Sequence, residues 1–167
     1  MSKTEKDLME AFSGESQANR KYLAFAEKAE KDGFPQIARI FKAAASAETV
    51  HAHNHLRAMG GIQSTVENVK EAINGEHYEF TKMYPEFLED AREENNKQAI
   101  RTFDYANQVE KVHHELYNKA LEAAEKGEDL EEKEMYICPI CGYTVEGEAP
   151  DECPVCGAKK KVFKKIE

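Results

Sequence analysis

Two short stretches each place a carboxylate and an imidazole three residues apart: Glu48 with His51, and Glu110 with His113. On a helix that spacing is close to one turn, so both side chains leave the same face. Each pair is preceded by a lone Glu at nearly the same distance. Glu15 lies 33 residues before Glu48, and Glu76 lies 34 before Glu110. The chain states one two-helix unit twice, with Glu on the first helix and Glu-x-x-His on the second. Four carboxylates in one layer repel strongly, and neutral imidazoles do not cancel that repulsion. Two divalent or trivalent cations do. Carboxylate and imidazole donors suit iron or manganese, and this set of residues is the ligand pattern of two-metal carboxylate bundles.

Glu79 breaks the symmetry. It stands three residues after Glu76, where the matching position on the first helix is Ala18. Its carboxylate offers one metal an extra, exchangeable oxygen opposite the imidazole of His51. Tyr22 and Tyr84 are candidates to hydrogen-bond to the cluster. His55 and His114 are better suited to packing or to supporting a ligand than to binding metal themselves, and His53 and His77 read as surface residues.

The second chemical signal is Cys138-Pro-Ile-Cys141 and Cys153-Pro-Val-Cys156, with eleven residues between the pairs. Four thiolates at this spacing bind a tetrahedral metal, zinc or iron. A structural zinc ribbon satisfies the geometry equally well. The sequences CPICGY and CPVCGA tilt the choice, because both resemble the knuckles of rubredoxin, which hold a single redox iron. A one-electron centre beside a two-metal redox site makes chemical sense.

Long helices must carry the first set of residues. Ser2-Lys-Thr-Glu5 reads as a capping box opening a helix to about Lys31, with Leu8, Phe12, Glu15, Asn19, Tyr22, Ala26 and Ala29 stepping four and three along one seam. Asp32-Gly33-Phe34-Pro35 breaks it and starts a second helix to about Met59. Ile37, Phe41, Ala44, Glu48, His51, His55 and Ala58 form its expected seam. Ser64-Thr-Val-Glu67 is a second capping box. The third helix contains Gly75 and Pro85, which should bend or split it. The fourth runs from about Asn96 to Lys126, with Gly127 at its end. These expectations give a helical domain over residues 1–127, a charged linker over 128–134, and a small β/knuckle domain over 135–167.

Composition narrows the function classes. The net charge is −9, while residues 135–167 carry five Lys and five acids, so the helices and linker hold the whole acidic excess. Nucleic acid is therefore not an expected partner, since it calls for a basic stripe. No run approaches the ~18 apolar residues of a membrane span. The first residues form no apolar export signal, and all four Cys are committed to metal, so a reducing cytoplasm is the expected location.

The whole chain resembles the rubrerythrin family. The match is carried by GESQANRKY around Glu15, AETVHA around Glu48 and His51, GEHYEFTKMYP around Glu76 and Glu79, VEKVHHELY around Glu110 and His113, and the two rubredoxin-like knuckles. The resemblance implies an all-α, ferritin-like four-helix bundle followed by a small rubredoxin-like β/knuckle domain. It implies a non-haem di-iron peroxidase that reduces hydrogen peroxide to water in oxidative-stress protection, with electrons relayed through the rubredoxin-like site. Glu15, Glu48, His51, Glu76, Glu79, Glu110 and His113 would hold two non-haem Fe ions, with Glu79 and His51 exchanging as ligands. Cys138, Cys141, Cys153 and Cys156 would hold one Fe. Electrons would come from an external donor such as rubredoxin or an NAD(P)H-dependent reductase.

A ferritin-type iron oxidation and storage protein shares the bundle and its ligands but gives no reason for the cysteine tail. A zinc ribbon on a structural bundle is a third reading. A homodimer is expected on geometry. From His113 to Lys126 is 13 residues, roughly 20 Å at 1.5 Å per residue, which places the tail far from its own Glu and His residues. A head-to-tail dimer would bring each tail to the partner. The Gly60–Thr65 connection is short for crossing a bundle, and exchange of helix pairs between chains would relieve that.

Overall fold

The computed structural model describes residues 1–167, mostly helical with a three-stranded sheet near the C-terminus. It divides into two compact units, Met1–Gln63 and Ser64–Glu167.

The first unit is a hairpin of α1 (Lys3–Lys31) and α2 (Pro35–Ala58). The expected capping box opens α1: Ser2 Oγ accepts the Glu5 N–H, and the Glu5 carboxylate accepts the Ser2 N–H. Gly33 turns the chain in the left-handed region, and Pro35 fills the first turn of α2, where its missing N–H costs nothing. Side-chain pairs running in opposite order along the two helices, Asn19 with Thr49 and Glu30 with Lys42, show them antiparallel. Their interface is made of alanine. Ala26, Ala29, Ala38, Ala45 and Ala52 are almost inaccessible. The buried stripe of α2 is therefore one position aside from the expected seam, and Ile37 is 47% exposed. Alanine lets two backbones approach closely, and the bulkier neighbours move to the flank. There Phe41 packs on Ala26, Ala29 and Ala38 and against the rings of Tyr22 and Phe25. Leu23, Phe25, Phe34, Ile37, Ile40 and Val50 remain exposed.

The second unit begins with α3 (Thr65–Tyr78), again opened by a capping box, here between Ser64 and Glu67. A π-helical turn, Glu79–Met83, joins it directly to α4 (Tyr84–Glu93). Pro85 explains the widening. It lacks an N–H, and in an α-helix its ring would crowd the carbonyl four residues back. The Tyr84 N–H instead reaches the Glu79 carbonyl, five back. Gly75 causes no break. Asn95 adopts a left-handed φ of 55°, and the Asn96 side chain caps α5 (Lys97–Glu125) through the Ala99 N–H. Leu88, Ala91 and Val109 are buried, and Tyr84, Phe87 and Phe103 pack ring to ring.

The tail carries β1 (Met135–Ile137), β2 (Thr144–Glu146) and β3 (Lys164–Ile166), all antiparallel in the order β2-β1-β3. All three strands lie within residues 135–167, where the sequence places β structure. All three residues of β3 are exposed. Contrary to the distance expected from the length of α5, the tail folds back along its own helix. Lys119 pairs with Glu146, and a Cβ on Gly142 would sit 3.7 Å from Val109 Cγ1. Residues after Gly127, itself in the left-handed region, reverse the chain direction. No helix is long and apolar enough to cross a membrane.

Candidate metal centres

Each unit assembles one of the two predicted ligand sets. In the first, α1 supplies Glu15 and α2 supplies Glu48 and His51, with donor atoms all within 4.8 Å of one another. His51 Nδ1 lies 2.8 Å from Glu48 Oε2 and 4.0 Å from Glu15 Oε1. In the second, α3 supplies Glu76 and α5 supplies Glu110 and His113, also within 4.8 Å. His113 Nδ1 lies 2.7 Å from Glu110 Oε2 and 3.8 Å from Glu76 Oε1. The repeat seen in sequence extends to atoms: the same ring nitrogen faces the same two carboxylates at nearly the same distances. Two ligands on one ion with bonds of ~2.1 Å at right angles stand ~3.0 Å apart, so both triads have the scale of a metal site. The second is more enclosed, with the His113 side chain 28% exposed against 53% for His51.

Charge in the second triad is unbalanced. Burial, then the Glu110 charge and a hydrogen bond shared with it, pushes Glu76 up to about 7. Burial and Glu110 also raise Glu79. The hydrogen bond to Glu110 outweighs burial and raises His113. Carboxylates that hold one another's protons on are short of positive charge, which is what a cation supplies. Glu79 sits on the π-turn beside this triad, close enough to feel Glu110 and His113. Tyr84, first residue of α4, is raised by burial and by the charges of Glu79, Glu110 and Glu76.

The other candidates separate. Tyr22 packs among Phe25 and Phe41. His55 is half-buried and His53 exposed. His77 meets Phe80 edge to face and His114 at a tilt, and Asn118 Nδ2 reaches the His114 carbonyl and ring. One contact has no sequence signal at all. Thr144 Oγ1, on the tail, lies 3.0 Å from His113 Nε2.

The four cysteines converge. Cys138 and Cys156 Sγ are 3.6 Å apart, Cys141 and Cys153 Sγ are 3.5 Å apart, and all four lie within 4.8 Å. A tetrahedron with metal–sulfur bonds of ~2.3 Å has edges of ~3.8 Å, so the set fits one metal. Both knuckles close alike: Gly142 N–H reaches the Cys138 carbonyl, Gly157 N–H reaches the Cys153 carbonyl, and both glycines have left-handed φ. Burial works against the Cys138 thiolate, but the N–H groups of Ile140 and Cys141 outweigh it and lower its pKa. Burial drives the Cys141 and Cys156 thiols up.

Comparison with known proteins bears on both sites. The rubrerythrin family profile matches residues 6–121, and the profile described as "Rubrerythrin, rubredoxin-like domain" matches residues 136–164. The chain belongs to the rubrerythrin family. It is 40% identical to Rubrerythrin-2 of Clostridium acetobutylicum over 93% of this chain and 92% of that one. It is 35% identical to nigerythrin of Nitratidesulfovibrio vulgaris, over 96% and 85%. The solved structure titled "Fully reduced state of nigerythrin (all ferrous)" aligns with a TM-score of 0.59 at 33% identity, covering 99% of this chain and 88% of that one. The rubrerythrin fold, ferritin-like helices followed by a rubredoxin-like domain, is the predicted class. The carboxylate–His clusters and the four cysteines are consistent with iron.

Proposed function

We propose that this rubrerythrin-family oxidoreductase is a hydrogen peroxide reductase. Its functional division would be a di-iron helical domain over 1–127, a linker over 128–134, and a one-iron domain over 135–167. Two irons would be held by Glu15, Glu48, His51, Glu76, Glu79, Glu110 and His113, and a third by Cys138, Cys141, Cys153 and Cys156. The observation that carries the reading is the duplicated Glu, Glu and His triad in a chain that also closes a four-thiolate tetrahedron.

Bound there, the iron supplies the two electrons that convert hydrogen peroxide and two protons to two waters. The protein's part is to bind, position and hold protons. The carboxylates would hold the cations and neutralise their charge. Glu79, on its π-turn, and His51, more than half exposed, would be the two ligands that exchange. Tyr84 keeps its phenolic proton, raised by burial and the facing carboxylates, and so acts as a hydrogen-bond donor. Tyr22, on α1 beside Phe25 and Phe41, would be a second hydrogen-bonding hydroxyl for the cluster. The electron donor is external, of the rubredoxin or NAD(P)H-dependent reductase kind. The active form is a homodimer with helix pairs exchanged or apposed, in the cytoplasm. The exposed apolar side chains of α1 and α2 support the dimer.

Metal analysis with a visible spectrum tests the reading on protein purified without added metal. About three irons per chain are expected from the ligand count, with thiolate-to-iron bands that bleach with reductant and return with peroxide. One zinc per chain, no visible band, and no peroxide turnover after iron reconstitution would overturn it.

A further inference from the structure

We propose that Thr144 is a positioning residue for the helical metal site: its hydroxyl, carried by the docked tail, fixes the His113 ring with Nδ1 as the metal-binding nitrogen. This rests on the two-metal reading above and adds a residue from the tail to it.

Thr144 Oγ1 lies 3.0 Å from the Gly142 carbonyl and 3.0 Å from His113 Nε2. A hydroxyl has one proton, and a carbonyl only accepts. The proton therefore goes to Gly142, and a lone pair on Oγ1 accepts from His113 Nε2–H. With hydrogen on Nε2, the lone pair of the neutral ring is on Nδ1. That nitrogen faces Glu110 Oε2 and Glu76 Oε1 at 2.7 and 3.8 Å. A partner on the distal ring nitrogen is how proteins orient metal-binding imidazoles.

The acceptor is itself held. Thr144 opens β2 and pairs with Ile137. Either side of it, Gly142 abuts Val109 and Glu146 pairs with Lys119. Docking of the tail on α5 thus sets the ring. The repeat-related His51 is nearly twice as exposed. Of two histidines with matching surroundings at Nδ1, His113 is the one whose Nε2 meets the tail.

The test uses the full chain with 15N-labelled histidine. Zinc, as a diamagnetic stand-in, fills the cysteine site and is then titrated into the carboxylate site. A His113→Gln sample assigns the His113 signals. Wild type is expected to show a solvent-protected Nε2–H on His113 in the zinc-bound state. Thr144→Val keeps the branched shape without the acceptor. It should lose that protection and bind the second-site zinc about 10-fold or more weakly. Thr144→Ser should restore both. A His113 Nδ1–H signal in zinc-bound wild type would overturn the proposal alone. So would a Val variant matching wild type, or a Ser variant as impaired as Val. Wild type that takes zinc only at its cysteines would overturn the two-metal reading and this proposal together.

Discussion

Glu76 and Glu79 stand three residues apart, yet their surroundings set them different tasks. Glu76 shares a hydrogen bond with Glu110 and belongs to a triad, whereas Glu79 only feels the charges of that triad. Glu79→Ala should therefore leave the helices folded, with an unchanged circular dichroism spectrum. It should slow peroxide turnover by at least ~10-fold, given that even outer partners of metal ligands cost 10–100-fold. Wild-type turnover in that variant would remove Glu79 from the mechanism. Glu76 also predicts a pH dependence. Its folded value of about 7 lies above the ordinary 4.5, so the metal-free folded chain holds a proton that the unfolded chain releases. That contribution to stability is whole below about pH 4.5 and is lost as pH rises through about 7; raised His113 acts in the same sense. Calorimetry of metal-free protein should show a lower Tm at pH 8 than at pH 5, with ferrous ion restoring it at pH 8. A metal-free Tm that rises over this range would contradict the assignment. At this scale the sequence was most legible. Identity and spacing alone picked out both triads, because helical geometry turns a three-residue step into a shared face. Thr144 was not legible, since its partner is 31 positions away and reached only by docking.

Helix ends were also written locally. Ser2 with Glu5 and Ser64 with Glu67 form the reciprocal caps that their spacing suggested. Pro85 splits the third helix, one of the two outcomes its chemistry suggested, but the form of the split, a π-turn that widens one stretch and carries Glu79, was not legible, and neither was the line of helix contact. Hydrophobic stepping pointed to Ile37 and Phe41 as the contact line of α2, but the two backbones of the hairpin meet through Ala38, Ala45 and Ala52. Periodicity marks an apolar face several residues wide, and the size of the side chains decides which line within it another helix approaches. Ala45 is 1% exposed, so Ala45→Leu should force the helices apart and cost about 1–3 kcal/mol, read as a lower denaturant midpoint. An unchanged midpoint would show that the interface can relax.

The whole molecule departs most from what chain length implied. The 13-residue run from His113 to Lys126 points the tail away, yet residues after Gly127 return it along α5 to Val109, His113 and Lys119. Reach along a helix limits a domain only when the following segment continues outward. The exposed Leu23, Ile37, Ile40 and Val50 offer an apolar surface for the proposed second copy. Light scattering should give a particle of twice the 18.9 kDa chain mass. A monomer that keeps full activity on dilution would sink the dimer. The small sheet has a further consequence. β3 is an open edge, exposed along its length, and an open edge is a template on which neighbouring molecules add strand after strand. Lys164 and Lys165 occupy it, one of them balanced by Glu134. Stacked copies would bring lysines into register and repel, so the tail resists growing into fibrils even where the protein is crowded.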